Sequence, residues 1–133
     1  MGIRFQAYVA SVNHLSCLNL TGDLKVLSSL VTGPQYDSVL CNYDGISCLK
    51  NAKRTKQNYI SRLLHVTRNN GILECGSLKQ GICQMRHPLT LEVILNGSVP
   101  VVPNDNNSSC VALVDDNDIL YVASTHTPES PYR

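Results

Sequence analysis

The sequence predicts an all-β protein made of short antiparallel strands. Runs rich in β-branched, aromatic and other apolar residues recur along the 133-residue chain, and Asn, Asp and Gly separate them as turns. No stretch keeps the period of an amphipathic helix for three turns. A third observation, a repeat of strand, turn and strand, predicts several sheets of the same kind.

The repeat is visible as recurring sequence. Tyr8–Ser11 reads YVAS, and the same four residues recur at Tyr121–Ser124. Leu73–Ser77 occupies the equivalent place, directly after a polar turn. The strand before that turn, Leu63–Val66, matches Val111–Val114 before the later turn. A unit repeated at about the spacing of propeller blades predicts a radial array, with the end of one blade, one whole blade and the first two strands of another.

The first part of the chain alternates strands with turns. Turns are predicted at 12–13 and 21–23, and Gly33-Pro34 ends this part of the chain. The predicted strands are 5–11, 14–18 and 24–32.

Residues 35–58 form a long connection with few apolar residues and no predicted core of its own. It holds two cysteines and a run of four cations, namely Cys41, Cys48, Lys50, Lys53, Arg54 and Lys56. The cations suit either a patch for an anionic glycan or acidic partner, or a solvated loop, and the pattern favours the solvated loop. Nucleic acid is disfavoured because no aromatic residue interleaves the charges.

A three-stranded meander is predicted around Ile72–Gln84. Strands at 60–66, 72–75 and 82–85 flank the turn signal Asn69-Asn70-Gly71, since Asn and Gly tolerate positive φ. Cys75 and Cys83 lie on its second and third strands, close enough in sequence for a bridge across their connection.

The rest of the chain continues the strand pattern. Residues 89–102 are predicted as an outer strand, with Pro100 and Pro103 at an edge where a missing N–H is harmless. A polar loop at 104–109 precedes strands at 110–114 and 119–124, and the proline-rich residues 127–133 are expected to be loose.

Several segments resemble the sema domain of plexins, the cell-surface receptors for semaphorins. The core of the resemblance is LECGS at 73–77 followed by QGICQ at 80–84. Three further segments agree in order: 7–13, then VTGP at 31–34 with Asp37-Ser38 and Cys41, then Asn58-Tyr59 leading into 62–64. The resemblance implies a seven-bladed β-propeller, of which this chain supplies the first part.

The resemblance also implies a division of the chain and a disulfide pairing. Residues 5–34 would be part of a first blade, 35–58 a disulfide-containing connection, 59–103 a second blade and 110–126 the first strands of a third. Cys41 would pair with Cys48. Cys17 and Cys110 depart from the family pattern, and two small buried hydrophobes are favoured over a bridge.

Six cysteines in a small chain indicate an oxidising compartment. Sequons for N-glycosylation agree with this and begin at Asn19, Asn96, Asn106 and Asn107. No signal peptide is predicted at the start and no apolar run reaches the ~18 residues of a membrane span. We therefore interpret the chain as a truncated piece of a secreted or surface protein.

No catalytic, metal or cofactor site is predicted. The four histidines, His14, His65, His87 and His126, lack the context of a nucleophile and an orienting group. Cysteine spacings do not match structural zinc sites, and Asp115, Asp116 and Asp118 lack the glycine and distal glutamate of a calcium loop. The chain is not expected to be an enzyme.

The function implied by the resemblance is extracellular ligand binding by a plexin-like semaphorin receptor in cell and axon guidance. The partner would be a semaphorin, recognised by the complete propeller, and the parent protein would be a single-pass receptor at the cell surface. Alternatives are a sema domain of a hepatocyte-growth-factor-receptor-like kinase or of a semaphorin, and, from another class, a small secreted disulfide-containing structural protein. No ligand-contact residues are assigned.

Overall fold

The computed structural model describes residues 5–125 and residue 132, and in this part of the chain it is built from β-strands. Its sheets are all antiparallel, and one short 3-10 turn, Lys79–Gly81, interrupts the strands. No α-helix is present among the described residues. The all-β prediction is therefore confirmed. The predicted loose end, 127–133, lies almost entirely outside the described residues.

Eleven strands are described, in four sheets of orders β1-β2-β3, β4-β5, β6-β7-β8-β9 and β10-β11. The strands are β1 (Gln6–Ser11), β2 (His14–Asn19), β3 (Val26–Val31), β4 (Gln35–Asp37), β5 (Thr55–Gln57), β6 (Ser61–Val66), β7 (Ile72–Gly76), β8 (Cys83–Arg86), β9 (Val93–Asn96), β10 (Cys110–Val114) and β11 (Leu120–Ser124).

The first sheet follows the predicted strands closely. Ser11 pairs with His14 across a two-residue turn, and Asn13 adopts the positive φ of 64° that such turns require. A register shift after Cys17 accompanies the pairing of β2 with β3. β3 begins at Val26 rather than at the predicted Leu24, although the carbonyl of Lys25 accepts the N–H of Asn19 at the end of β2.

The second sheet lies within the long connection predicted at 35–58, where no strand was predicted. β4 and β5 form a short antiparallel ribbon in which Tyr36 pairs with Lys56. Between these strands, Cys41 and Cys48 form an isolated bridge. Backbone pairing rather than apolar burial defines this ribbon, so hydrophobic periodicity does not reveal it.

The third sheet contains the predicted meander plus a fourth strand. Asn70 supplies the positive φ of 61° in the turn between β6 and β7. β9 is much shorter than the predicted outer strand of 89–102. Pro100 and Pro103, predicted at a strand edge, lie in the loop that follows β9, because that strand ends at Asn96. The side chain of Pro103 is fully buried there.

The main apolar cluster lies between the first and third sheets. Leu15, Cys17 and Leu91 are fully buried there. Partly buried side chains pack against them, namely Tyr8, Ala10, Leu30 and Leu64. Strand β6 contacts both β1 and β10, so the third sheet is central to the described structure.

Candidate functional site

Four of the six cysteines form two disulfides. Cys41 is bonded to Cys48, which closes the loop between β4 and β5. Cys75 is bonded to Cys83, and these two residues are direct partners in the pairing of β7 with β8. The thiol of Cys17 is free and buried, and the thiol of Cys110 is free and partly buried. Each bridge closes a short loop, so each limits the freedom of the unfolded chain.

Gln80 connects the two disulfide-closed loops. It lies in the turn before β8 with a φ of 64°, and its side chain is 1% exposed. The amide nitrogen donates to the carbonyls of Val39 and Cys41, and the amide oxygen accepts from Asn104. One buried amide therefore holds together three loops that are distant in sequence.

A second contact joins the same loops. The carboxylate of Asp37 accepts the backbone N–H of Lys79 at 2.7 Å and that of Ser38 at 2.9 Å. The backbone N–H groups of Val101 and Val102 donate to the carbonyl of Gly81. We call these segments, residues 37–48, 78–83 and 101–105, the loop cluster. It is the candidate functional site because it is a built, disulfide-supported set of loops on a sheet scaffold.

A buried ion pair supports the sheet beneath the loop cluster. Glu74 on β7 and Arg86 on β8 form a salt bridge, and both side chains are almost completely buried. Arg86 also donates to the carbonyl of Leu91 and the amide oxygen of Gln84. The second carboxylate oxygen of Glu74 has no hydrogen-bond partner in the described part of the chain. Such a pair fixes the geometry of neighbouring strands because loss of either partner leaves a buried charge.

Tyr59 packs beside this ion pair. Burial is the main cause that raises the pKa of Tyr59 above its ordinary value, and the negative charge of Glu74 adds to it. The ring lies directly over Gly76, where an added Cβ would overlap the phenol carbon of Tyr59. Only glycine therefore fits at this position of the sheet.

Asn13 joins the first sheet to the segment that enters the third. Its side-chain oxygen accepts the backbone N–H of Tyr59 at 2.7 Å, and its own N–H donates to the carbonyl of Tyr59. Its amide nitrogen donates to the side chain of Asn58. A turn residue thus carries the polar contact between two sheets.

The sequon asparagines lie near the surface. Asn19 is partly buried, whereas Asn96, Asn106 and Asn107 are exposed. Asn19 accepts hydrogen bonds from Thr21, and Asn96 accepts one from Gln84, through their side-chain oxygens. In the described structure neither amide nitrogen donates, and this nitrogen is the atom that carries an N-linked glycan.

The histidines and acidic residues form no reactive centre within the described residues. The Nε2 atom of His65 lies 3.8 Å from Oδ1 of Asp118. The Nδ1 atom of His87 accepts the backbone N–H groups of Leu89 and Thr90 in its own turn. His14 contacts the carbonyl of Val12, and His126 lies outside the described residues. No group of three metal-ligating side chains occurs in 5–125. Asp115 instead accepts backbone N–H groups of its turn, which is the role of a turn residue.

Large apolar side chains are exposed on several sheets. Val111 and Leu113 of β10 are 74% and 66% exposed, and a shallow open depression of about 490 Å³ covers the β10-β11 hairpin. Other strands expose similar residues, namely Val26, Val31, Ile94, Leu95 and Tyr121. Contiguous apolar faces of this kind are packing or interaction surfaces.

Sequence reasoning missed the residues that organise the loop cluster. Gln80 stands between Lys79 and Gly81, and the composition of this segment is that of a solvated turn. Glu74 offers a weak signal, because it interrupts the apolar run of β7 and pairs twelve residues away with Arg86.

No helix long and apolar enough to cross a membrane occurs in the part of the chain that the structure describes.

Comparison with known proteins identifies the relatives of this chain. Plexin-2 of Caenorhabditis elegans is 35% identical over 126 residues, which is 95% of this chain and 7% of that protein. Human plexin-A4 is 35% identical over 79 residues, which is 59% of this chain and 4% of that protein. The full extracellular region of plexin A4 matches the structure with a TM-score of 0.70 and 26% identity, covering 89% of this chain and 14% of that one. The chain is a homologue of the plexins. No protein-family model matches it.

The plexin prediction from the sequence is confirmed, and so is the prediction of antiparallel sheets of the plexin extracellular type. The match covers most of this chain, as a part of a propeller would. The chain spans about 7% of the length of the Caenorhabditis plexins that it matches.

Proposed function

We propose that this plexin-like chain is part of the ligand-binding ectodomain of a semaphorin receptor that acts in cell and axon guidance. The observation that supports this most is the structural match to the plexin extracellular region over 89% of the chain. The loop cluster fits a binding role, because disulfides and buried polar contacts hold its loops on sheets. Binding rather than catalysis is the role that we assign, on the extracellular surface of the cell.

We further propose that the sheets are propeller blades in the order given by the repeat. β1, β2 and β3 would correspond to β7, β8 and β9, and β10-β11 to β6-β7. This assignment places 5–34 in one blade, 59–103 in a second and 110–126 in a third, with 35–58 as a connection. The exposed apolar faces on the outer sheets support it, because neighbouring blades of a propeller bury such faces.

We also propose N-glycans at the four sequons, because the side-chain amide nitrogens of their asparagines donate to no acceptor among the described residues. Peptide mass spectrometry of secreted protein, before and after enzymatic removal of N-glycans, tests this. Unmodified Asn19 and Asn96 would contradict it.

A chimera tests the receptor role. In the extracellular region of Caenorhabditis elegans plexin-2, this chain replaces the segment that it matches, and binding to a panel of semaphorin ectodomains is measured beside the unaltered region. The proposal predicts a secreted, monodisperse chimera that binds at least one semaphorin. A secreted chimera that binds none, although the unaltered region does, would overturn the receptor role. A chimera that is not secreted would overturn the assignment of the sheets to that propeller.

A further inference from the structure

The positive charge of the chain is concentrated in one surface segment. Four of the eleven Lys and Arg residues fall within residues 50–56, which contain no Asp or Glu. The other seven cations share the rest of the chain with all ten acidic residues. We call the four residues, Lys50, Lys53, Arg54 and Lys56, the basic platform. The chain is nearly neutral, with a net charge of +1, so this platform is a local feature that the total charge conceals.

All four cations of the basic platform are exposed, and none forms an ion pair with an acidic residue in the described part of the chain. The carboxylate of Asp44 interacts electrostatically with Arg54. The backbone N–H groups of Ser47 and Ile46 donate to its carboxylate and lower the pKa of Asp44. Its charge therefore compensates Arg54 in part, and the three lysines keep their charge uncompensated.

The basic platform is held on a fixed backbone. Lys56 lies on β5 opposite Tyr36 of β4, and directly opposed residues of an antiparallel pair project from the same face. Tyr36 is 69% exposed, so an aromatic ring stands beside the lysine. The N–H of Ala52 donates to the carbonyl of Leu49, directly after the Cys41–Cys48 bridge. Lys56 is thus presented by the ribbon, and the other three cations lie in the short segment between the Cys41–Cys48 bridge and β5. A backbone tied at both ends reduces the entropy lost when a partner binds.

We propose that the basic platform binds a sulfated glycosaminoglycan. Clusters of Lys and Arg with exposed charge recognise linear polyanions mainly through their charge density, and heparin-like chains are the extracellular members of that class. The ring of Tyr36 offers an apolar surface to a sugar. This inference rests on the match to a plexin extracellular region and does not require semaphorin binding. An acidic protein is the competing occupant, since Ile46 and Leu49 nearby are also exposed.

Two matched double variants test the proposal. Lys53→Gln/Lys56→Gln removes two charges from the basic platform, and Lys25→Gln/Arg68→Gln removes two exposed charges elsewhere. Each 133-residue chain is immobilised at low density on a biosensor, so that association between copies does not create avidity. Binding of a size-defined heparin oligosaccharide is measured over a series of salt concentrations. Circular dichroism and mapping of both disulfides establish that each variant is folded.

The proposal predicts heparin binding by the unaltered chain at physiological ionic strength of about 0.15 M. The affinity of the platform variant for heparin should be lower by about tenfold or more. Its affinity should also depend less steeply on salt concentration, because fewer counterions are released on binding. The control variant should bind like the unaltered chain. Absence of binding at that ionic strength, or equal losses in both variants, would overturn the proposal. Competition by polyglutamate as strong as that by heparin would assign the surface to an acidic protein instead.

Discussion

At the residue scale, a few buried polar side chains determine how the sheets meet. Glu74 and Arg86 lie in the interior of the third sheet, where an unpaired charge is costly, and Asn13 carries the contact between the first sheet and Tyr59. The sheets are therefore positioned by polar pairs as well as by apolar packing.

Removing one partner of the buried ion pair should be more harmful than removing both. Arg86→Met leaves Glu74 buried without its cation, and we expect the free energy of unfolding to fall by about 3–5 kcal/mol. Glu74→Leu/Arg86→Met should recover more than half of this loss, because no charge remains buried. Urea unfolding followed by circular dichroism measures both values in dilute protein. Equal losses in the single and double variants would show that the pair acts through shape alone.

Stability should also depend on pH through Tyr59. Burial raises the pKa of Tyr59 in the folded state, whereas the unfolded chain titrates near its ordinary value of about 10. The neutral phenol therefore contributes its full stability below about pH 10, and this contribution is lost as the pH rises further. Urea midpoints should fall more steeply above this pH in the unaltered chain than in Tyr59→Phe. The matched control is Tyr36→Phe, which changes an exposed ring and should behave like the unaltered chain. If the urea midpoints of Tyr59→Phe fell with pH as steeply as those of the unaltered chain and of Tyr36→Phe, the prediction would be contradicted.

At the element scale, the two disulfide-closed loops act as one unit because the side chain of Gln80, in the loop closed by Cys75–Cys83, hydrogen-bonds to the segment at 39–41 and to Asn104. Gln80→Ala removes the amide bonds to Val39, Cys41 and Asn104, and we expect a loss of about 1–3 kcal/mol. Hydrogen exchange should accelerate at 38–49 while β7 and β8 stay protected. Gln84→Ala, at a partly exposed position on β8, is the control. Unchanged exchange at 38–49 would show that the disulfide alone orders this loop.

The sequence predicts the strands where apolar burial and turn chemistry agree. β10 has the predicted bounds of Cys110–Val114, and the turn at Asn69-Asn70-Gly71 has the expected positive φ at Asn70. It does not predict the β4-β5 ribbon, since both strands are three residues long and mostly polar. The burial of Gln80 was also missed, because it depends on contacts with residues about forty positions away.

At the scale of the whole molecule, the apolar faces of the sheets are not all covered. β3, β9 and the β10-β11 hairpin expose residues that neighbouring elements would normally bury. A propeller achieves its stability when each blade packs on its neighbours and the ring is closed. We therefore infer that these sheets are sectors of a larger ring, consistent with their match to 14% of the plexin A4 extracellular chain.

Sedimentation of the isolated 133-residue chain over a wide range of concentrations shows whether the sheets need neighbouring sectors to cover their apolar faces. The exposed faces should make the chain associate as its concentration rises, and Val111→Glu/Leu113→Lys, which places charges on the face of β10, should reduce that association. A chain that stays monomeric at every concentration, with a sharp and reversible melt that does not depend on concentration, would contradict the account.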